Sequence, residues 1–233
     1  VDTISHPDRD GRALRVEIDF NQEENSMKLY YSPGVCSLAP HIVAHEIGLP
    51  IQIEKVDTKT KRTETGGDFL AINPKGYVPV LELDDGQFLT EGTAISQYLA
   101  DRKPESSIAA PNGTLARSRL QEMLGYVNSE IHKSYSPLFR AETPEETRVE
   151  RKAYLHKRYA LLDGILAKQP WLLGDTFTAA DAYLFVVTRW AKGAGVDLSD
   201  FHALAAFQER VAARPAVQAA MAAEGLVKLQ AAA

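Results

Sequence analysis

The chain has 233 residues, 45% hydrophobic and 24% charged, enough for one large domain or two small ones of ordinary globular composition. A single cysteine excludes an internal disulfide and fits a reducing compartment, and no apolar run approaches the roughly 18 residues of a transmembrane helix. Seven acids against three arginines in residues 1–26 carry −4 of the net charge of −5, which leaves −1 for residues 27–233 and no basic field for nucleic acid or anionic lipid.

Residues 1–26 are polar, with a brief apolar patch from Leu14 to Ile18 and no basic start before a long apolar core. We expect them to form a disordered extension or an expression-derived leader. Regular structure is predicted from Met27, where MKLYY reads as a short strand. SLAPHIVAHEIGL places Ile42, Val43 and Ile47 at helical spacing and stops at Gly48. IQIEKV alternates as a second strand, so a parallel βαβ unit follows. Residues 58–76 read as loop with one helical turn near Phe69 to Ile72. YVPVLEL and QFLT flank Asp84-Asp85-Gly86, a hairpin signal, and EGTAISQYLADR gives a helix with Ile95, Tyr98 and Leu99 on one face.

This order predicts an α/β thioredoxin-like domain (βαβ-ββα) over residues 27–103. A Pro/Gly/Ser-rich linker follows over 104–113, and an all-α domain over 114–233. The helical part should hold two long helices, 114–140 and 145–168. A capping box of Thr178 and Asp181 should open the next, and two Ala-rich helices should be broken before Pro215.

Cys36 falls between the first strand and the first helix. In the first turn of that helix, unpaired N–H groups and the helix dipole would favour thiolate over thiol. A buried structural thiol is the plainer alternative, and position alone does not choose between them. Ala39 stands where a CxxC pair would need its second cysteine, which excludes a self-contained dithiol oxidoreductase. A proline opening the third strand of a thioredoxin-like fold is usually cis and faces the helix-start cysteine, so Val78 and Pro79 become candidates for pairing with an extended peptide. A trans proline at a strand's first position would be unremarkable. Glu91 and Gly92 open another helix, suited to binding a carboxylate through N–H groups and an ammonium through the Glu91 side chain, or simply to capping. Gly125, Ser129, His132 and Ser136 recur at spacings of three or four beside the apolar face of Leu120, Leu124, Val127 and Ile131. Such a stripe lines a cleft or faces solvent. His41 and His45 are four apart but lack a third ligand, and no metal site is read.

Six segments resemble, in order, the beta-class glutathione transferases of bacteria: MKLYYSPGVCSLAPHI, FLAINPKGYVPVLEL, LTEGTAISQYLAD, SEIHKSYSPLF, TAADAYLF and EGLVKL. The match runs from Met27 to nearly the last residue and includes that family's cysteine, rather than the tyrosine or serine of other classes. The resemblance implies a cytoplasmic homodimer that binds glutathione in the thioredoxin-like domain and a small hydrophobic electrophile against the helical one. It needs no cofactor and no metal. By the same resemblance Cys36 contacts the glutathione sulfur and can form a mixed disulfide with it, with His132 its partner across the cleft. Val78, before Pro79, pairs with the cysteinyl backbone. Glu91 and Gly92 hold the γ-glutamyl end, Lys61 the glycyl carboxylate, and Ser129 and Glu130 line the pocket, Glu130 reaching across the dimer. Lys133 follows the family pattern without a role of its own. Gly125 departs from it, since the family often has there an asparagine whose amide supports the sulfur site.

The expected activity is conjugation of reduced glutathione to electrophiles, with thiol–disulfide exchange or dehalogenation through the cysteine beside it. The alternative is a non-catalytic glutathione or hydrophobic-ligand carrier of the same fold.

Overall fold

A computed structural model of the protein describes residues 27–228. The expectation for residues 1–26 lies outside them. Strand β1 (Lys28–Tyr31) pairs in parallel with β2 (Gln52–Asp57) and antiparallel with β4 (Val80–Glu82), which pairs in turn with β5 (Phe88–Thr90). A two-residue strand missing from the sequence reading, β3 (Arg62–Thr63), adds antiparallel to β2 and gives the order β3-β2-β1-β4-β5. Arg62 and Thr63 carry too short an alternation to be read as a strand.

The period of two sends alternate residues to opposite faces of this sheet. Leu29 and Leu81 join the main core under helices α1 (Leu38–Glu46) and α3 (Gly92–Asp101). Tyr30 and Val80 point the other way, into a small cluster with Val56, Phe69 and Val78. Phe69 begins the single helical turn α2 (Phe69–Ile72), so that turn covers the second face and seats the segment carrying Val78.

The remaining helices are α4 (Leu115–Tyr126), α5 (Lys133–Tyr135), α6 (Glu145–Leu166), α7 (Ala179–Thr188), α8 (Ala191–Ala194), α9 (His202–Ala212) and α10 (Pro215–Ala223). Every residue of α7 is buried. Its capping box is formed: the Asp181 carboxylate accepts from the Thr178 N–H and hydroxyl and from the Leu172 N–H, each at 2.8 Å. Helix α1 packs against α3 on one side and α7 and α10 on the other, which makes it the joint between the α/β and helical halves.

One predicted helix is corrected. Residues 114–140 do not form a single α-helix. After α4 the chain widens into a π-helix, Val127–His132, then returns through α5 to a 3₁₀ turn, Ser136–Phe139. Among the described residues, no helix is long and apolar enough to cross a membrane, and no group of three or more His, Cys, Asp or Glu side chains could hold a metal ion.

Candidate active site

Cys36 sits in the turn between β1 and α1. Gly34, at φ +70°, supplies the left-handed backbone that the turn requires. The Ser37 hydroxyl closes the turn, accepting from the Ser32 N–H and donating to the Ser32 carbonyl, both at 3.2 Å. Helix α1 begins at Leu38 with Ser37 as its N-cap, so Cys36 precedes the helix and does not lie in its first turn. Of the two states that the sequence left open for Cys36, burial favours the thiol. Burial pushes the Cys36 thiol up to about 11, against a weaker downward pull from the backbone donors of Cys36 and Ser37 and from the Lys133 ammonium. The sulfur is nonetheless reachable, because it lines two cavities, and it donates to the Val78 carbonyl at 3.4 Å. Cys36 is therefore a thiol donor in the free protein. Desolvation outweighs the N–H groups at this helix start.

The helical half grips this turn by both edges of one residue. The Gly34 N–H donates to Glu224 Oε2 at 2.9 Å, and the Trp190 indole N–H donates to the Gly34 carbonyl at 3.0 Å. The other Glu224 oxygen meets His41 Nδ1 at 3.0 Å, fixing the carboxylate from α1 itself. A Cβ at Gly34 would come within 3.3 Å of Leu226, so the turn has little room to shift.

The Val78–Pro79 peptide bond is cis, as the motif predicts. Glu91 carries φ +70°, and its carbonyl accepts from the N–H groups of Ala94 and Ile95, which begins α3. Its exposed carboxylate takes the Lys75 ammonium at 2.8 Å, and the same ammonium donates to the Thr90 hydroxyl at 2.9 Å.

His132 ends the π-helical segment, in which the Lys133 N–H reaches back five residues to the Asn128 carbonyl. The wider turn resets the face presented to the cleft. At α-helical spacing Gly125, Ser129, His132 and Ser136 would share it. The residues that do so are Asn128, His132, Lys133 and Ser136. The His132 ring lies edge-on to Trp190, with centroids 4.9 Å apart, and its Nδ1 meets the Tyr183 hydroxyl. Burial, aided by the Lys133 charge, lowers His132 to about 4, so the ring is neutral at pH 7.

Two cavities meet at Cys36, His132 and Ser136. The first, about 320 Å³, is the more polar of the two, and Val78, Pro79, Glu91 and Gly92 lie along it. The second, about 420 Å³, is largely apolar and is closed by Val35, Phe139 and Trp190. Both fall in the size range of small-molecule sites.

Of the residues singled out in the sequence, Cys36, Val78, Pro79, Glu91, Gly92, His132 and Ser136 line this cleft, and Lys61, Ser129, Glu130 and Gly125 do not. Lys61 lies behind it, where its ammonium donates to the Gly76 carbonyl at 2.9 Å and braces the loop before Tyr77. Ser129 is exposed and turned toward Glu130 by the π-helical register. Glu130 pairs with Arg158 at 2.9 Å and with the Tyr154 hydroxyl on α6. Gly125 is also off the cleft, with open space where its Cβ would be.

Sequence reading missed Lys75, Asn128 and Tyr183. Lys75 stands in Asn-Pro-Lys-Gly just before the cis-proline motif, a turn that could have drawn attention to it. Tyr183 puts a hydroxyl into the mostly apolar run Ala182–Val187, which is a usable signal. Asn128 stands four residues before His132, a spacing that could have drawn attention to it.

The geometry agrees with the comparisons. The family model for the N-terminal domain of glutathione S-transferases matches residues 34–102, and that for their C-terminal domain matches residues 123–215. The glutathione S-transferase GstA of Escherichia coli O157:H7 is 48% identical over 200 residues, covering 86% of this chain and 100% of its own. A sphingomonad glutathione S-transferase complexed with glutathione is 44% identical, with a TM-score of 0.83 over 86% of this chain and 100% of its own. The bacterial beta class glutathione S-transferase of Sphingomonas chungbukensis gives the same identity, TM-score and coverage. Two family models in register, close full-length relatives, and a thiol and an imidazole at the junction of two cavities lead to one conclusion: the chain belongs to the glutathione S-transferase family, in its bacterial beta class.

Proposed function

We propose that the protein conjugates reduced glutathione to small hydrophobic electrophiles, with thiol–disulfide exchange through Cys36 as a second activity and a homodimer as the working unit. The observation that carries this reading is that the Cys36 thiol and the neutral His132 ring border both the polar and the apolar cavity. A sulfur delivered through the polar cavity meets both groups and faces the apolar one.

The polar cavity suits a zwitterionic tripeptide. Its γ-glutamyl end would find the Glu91 carboxylate and the N–H groups that open α3, and its cysteinyl backbone the Val78 main chain. Lys75 lines the cavity as a cation for a carboxylate, and Lys61, with one of its three ammonium hydrogens on the Gly76 carbonyl, keeps two for the glycyl end. Conjugation needs the glutathione thiolate, and a protonated Cys36 can donate S–H to it while Lys133 adds positive charge nearby. The thiolate forms a C–S bond as the leaving group departs with the electrons of its own bond to carbon. The aromatic walls of Phe139 and Trp190 suit a planar or apolar co-substrate. If both sulfurs instead meet a disulfide substrate, Cys36 can be left joined to glutathione as a mixed disulfide, which a second glutathione releases.

Calorimetry with glutathione and a spectrophotometric assay with an activated aryl halide test the reading. We expect saturable binding and glutathione-dependent loss of halide. No glutathione binding would overturn it, and binding without turnover over several electrophiles would identify a carrier instead. Mass spectrometry of protein purified without reductant should find a glutathione-sized adduct on Cys36.

A further inference from the structure

We propose that Tyr183 and Asn128 are positioning residues that set the tautomer of His132, leaving Nε2 as the bare nitrogen that takes the proton of the glutathione thiol. The inference rests on glutathione as the substrate of this cleft.

Counting hydrogens along one short chain gives the assignment. The Tyr183 phenol has a single hydrogen and donates it to Asn128 Oδ1 at 2.9 Å. An amide oxygen only accepts, so that bond has one direction. The same phenol oxygen is in contact with His132 Nδ1 and has no second hydrogen to give. Nδ1 must therefore be the donor and carry the hydrogen. A neutral imidazole has one N–H, which leaves Nε2 with its lone pair.

The surroundings hold both partners in these states. Tyr183 is only 4% exposed, and burial, with the Glu91 charge adding to it, pushes its phenol up and keeps the hydrogen on oxygen. Around the imidazole, the titratable and charged groups are Lys133 next to it in sequence, Glu91 at the start of α3, Cys36 across the cleft and Tyr183 on α7. Trp190 and Tyr183 both meet the ring edge-on, which fixes its plane. Asn128 and His132 stand four residues apart and so share one side of the segment, both lining the cleft.

When glutathione enters, its S–H donates to Nε2. As the sulfur bonds to the electrophile the S–H bond breaks, its electron pair stays on sulfur and an Nε2–H bond forms, in step with attack because the free ring titrates near 4. The imidazolium keeps its Nδ1–H on the Tyr183 oxygen, so the proton is accepted without rearranging the network. The ring returns that proton to water after the thioether leaves.

The test is a two-bond ¹H–¹⁵N spectrum of the full chain with ¹⁵N-labelled histidine at neutral pH. The wild type should show His132 with a protonated Nδ1 and an unprotonated Nε2. Asn128→Leu frees the phenol hydrogen to donate to Nδ1, so the two nitrogens should exchange states. In the conjugation assay kcat should fall about tenfold, the factor a single hydrogen bond is worth, with a smaller change in the KM for glutathione. Asn128→Asp keeps an acceptor for the phenol and should restore the wild-type spectrum. A wild-type ring protonated on Nε2, or an unchanged tautomer in Asn128→Leu, would overturn the assignment. The spectrum needs no turnover. Failure of the glutathione reading, seen as no conjugation by the wild type, is thus distinguishable from failure of the tautomer assignment.

Discussion

Replacing Cys36 with alanine separates two reactions that share one cleft. With the thiol held up at about 11, only about one molecule in ten thousand carries a Cys36 thiolate at pH 7. The free protein should accordingly react with iodoacetamide at neutral pH about a hundredfold more slowly than an unperturbed cysteine of pKa 9, with a midpoint near 11. For conjugation, Cys36 contributes one weak S–H donor toward the glutathione sulfur. Its loss in Cys36→Ala should lower kcat/KM by no more than about tenfold, the worth of one hydrogen bond. Exchange is different, because no covalent adduct can form without the sulfur, and that activity should drop to background. The two assays, aryl-halide conjugation and reduction of a glutathione mixed disulfide, are run on the same preparation. An alkylation midpoint below about 8, or equal loss of both activities, would refute the reasoning.

Removing the Lys133 charge moves two groups at once: in Lys133→Ala the His132 and Cys36 pKa values should both rise, since the ammonium opposes the imidazolium and favours the thiolate. An NMR titration of the wild type should place His132 protonation near 4, and the glutathione-free ring should stay neutral from there upward. A midpoint near 6.5 would show that the ring is not desolvated. Asp181→Ala strands two backbone N–H groups and a hydroxyl and should cost about 3 kcal/mol, a fall in Tm of about 6–12 °C by calorimetry. A loss under about 1 kcal/mol would mean that water replaces the carboxylate. Phe139→Ala should raise the KM for an aryl electrophile while leaving that for glutathione unchanged, and equal effects on both would contradict the division into two cavities.

Periodicity made most of the fold legible. The alternation in YVPVLEL, the stop at Gly48 and the Thr178–Asp181 pair each describe a local preference that the packing then uses. What escaped was non-local or shifted the period. Two residues at Arg62 and Thr63 become a strand only because β2 lies beside them. The segment after Tyr126 has an α-helical composition yet adopts a wider turn, which takes Ser129 off the cleft while Asn128 stays, four residues before His132. The state of Cys36 stayed open for a related reason. Its N–H neighbours are visible in the chain order, whereas the burial that outweighs them comes from residues far away in sequence. Lys61 uses one of its three ammonium hydrogens on the Gly76 carbonyl, a contact that chain order alone does not announce.

The hydrogen bond from the Gly34 amide to Glu224 spans 190 residues. A ribosome working at about 5–20 residues per second needs roughly 10–40 s to cover that interval. Throughout that time the nascent thiol segment lacks its distant anchor, however early the sheet around it condenses. Catalytic competence therefore arrives late in translation, and a prematurely terminated product would retain the sulfur without the scaffold that aims it.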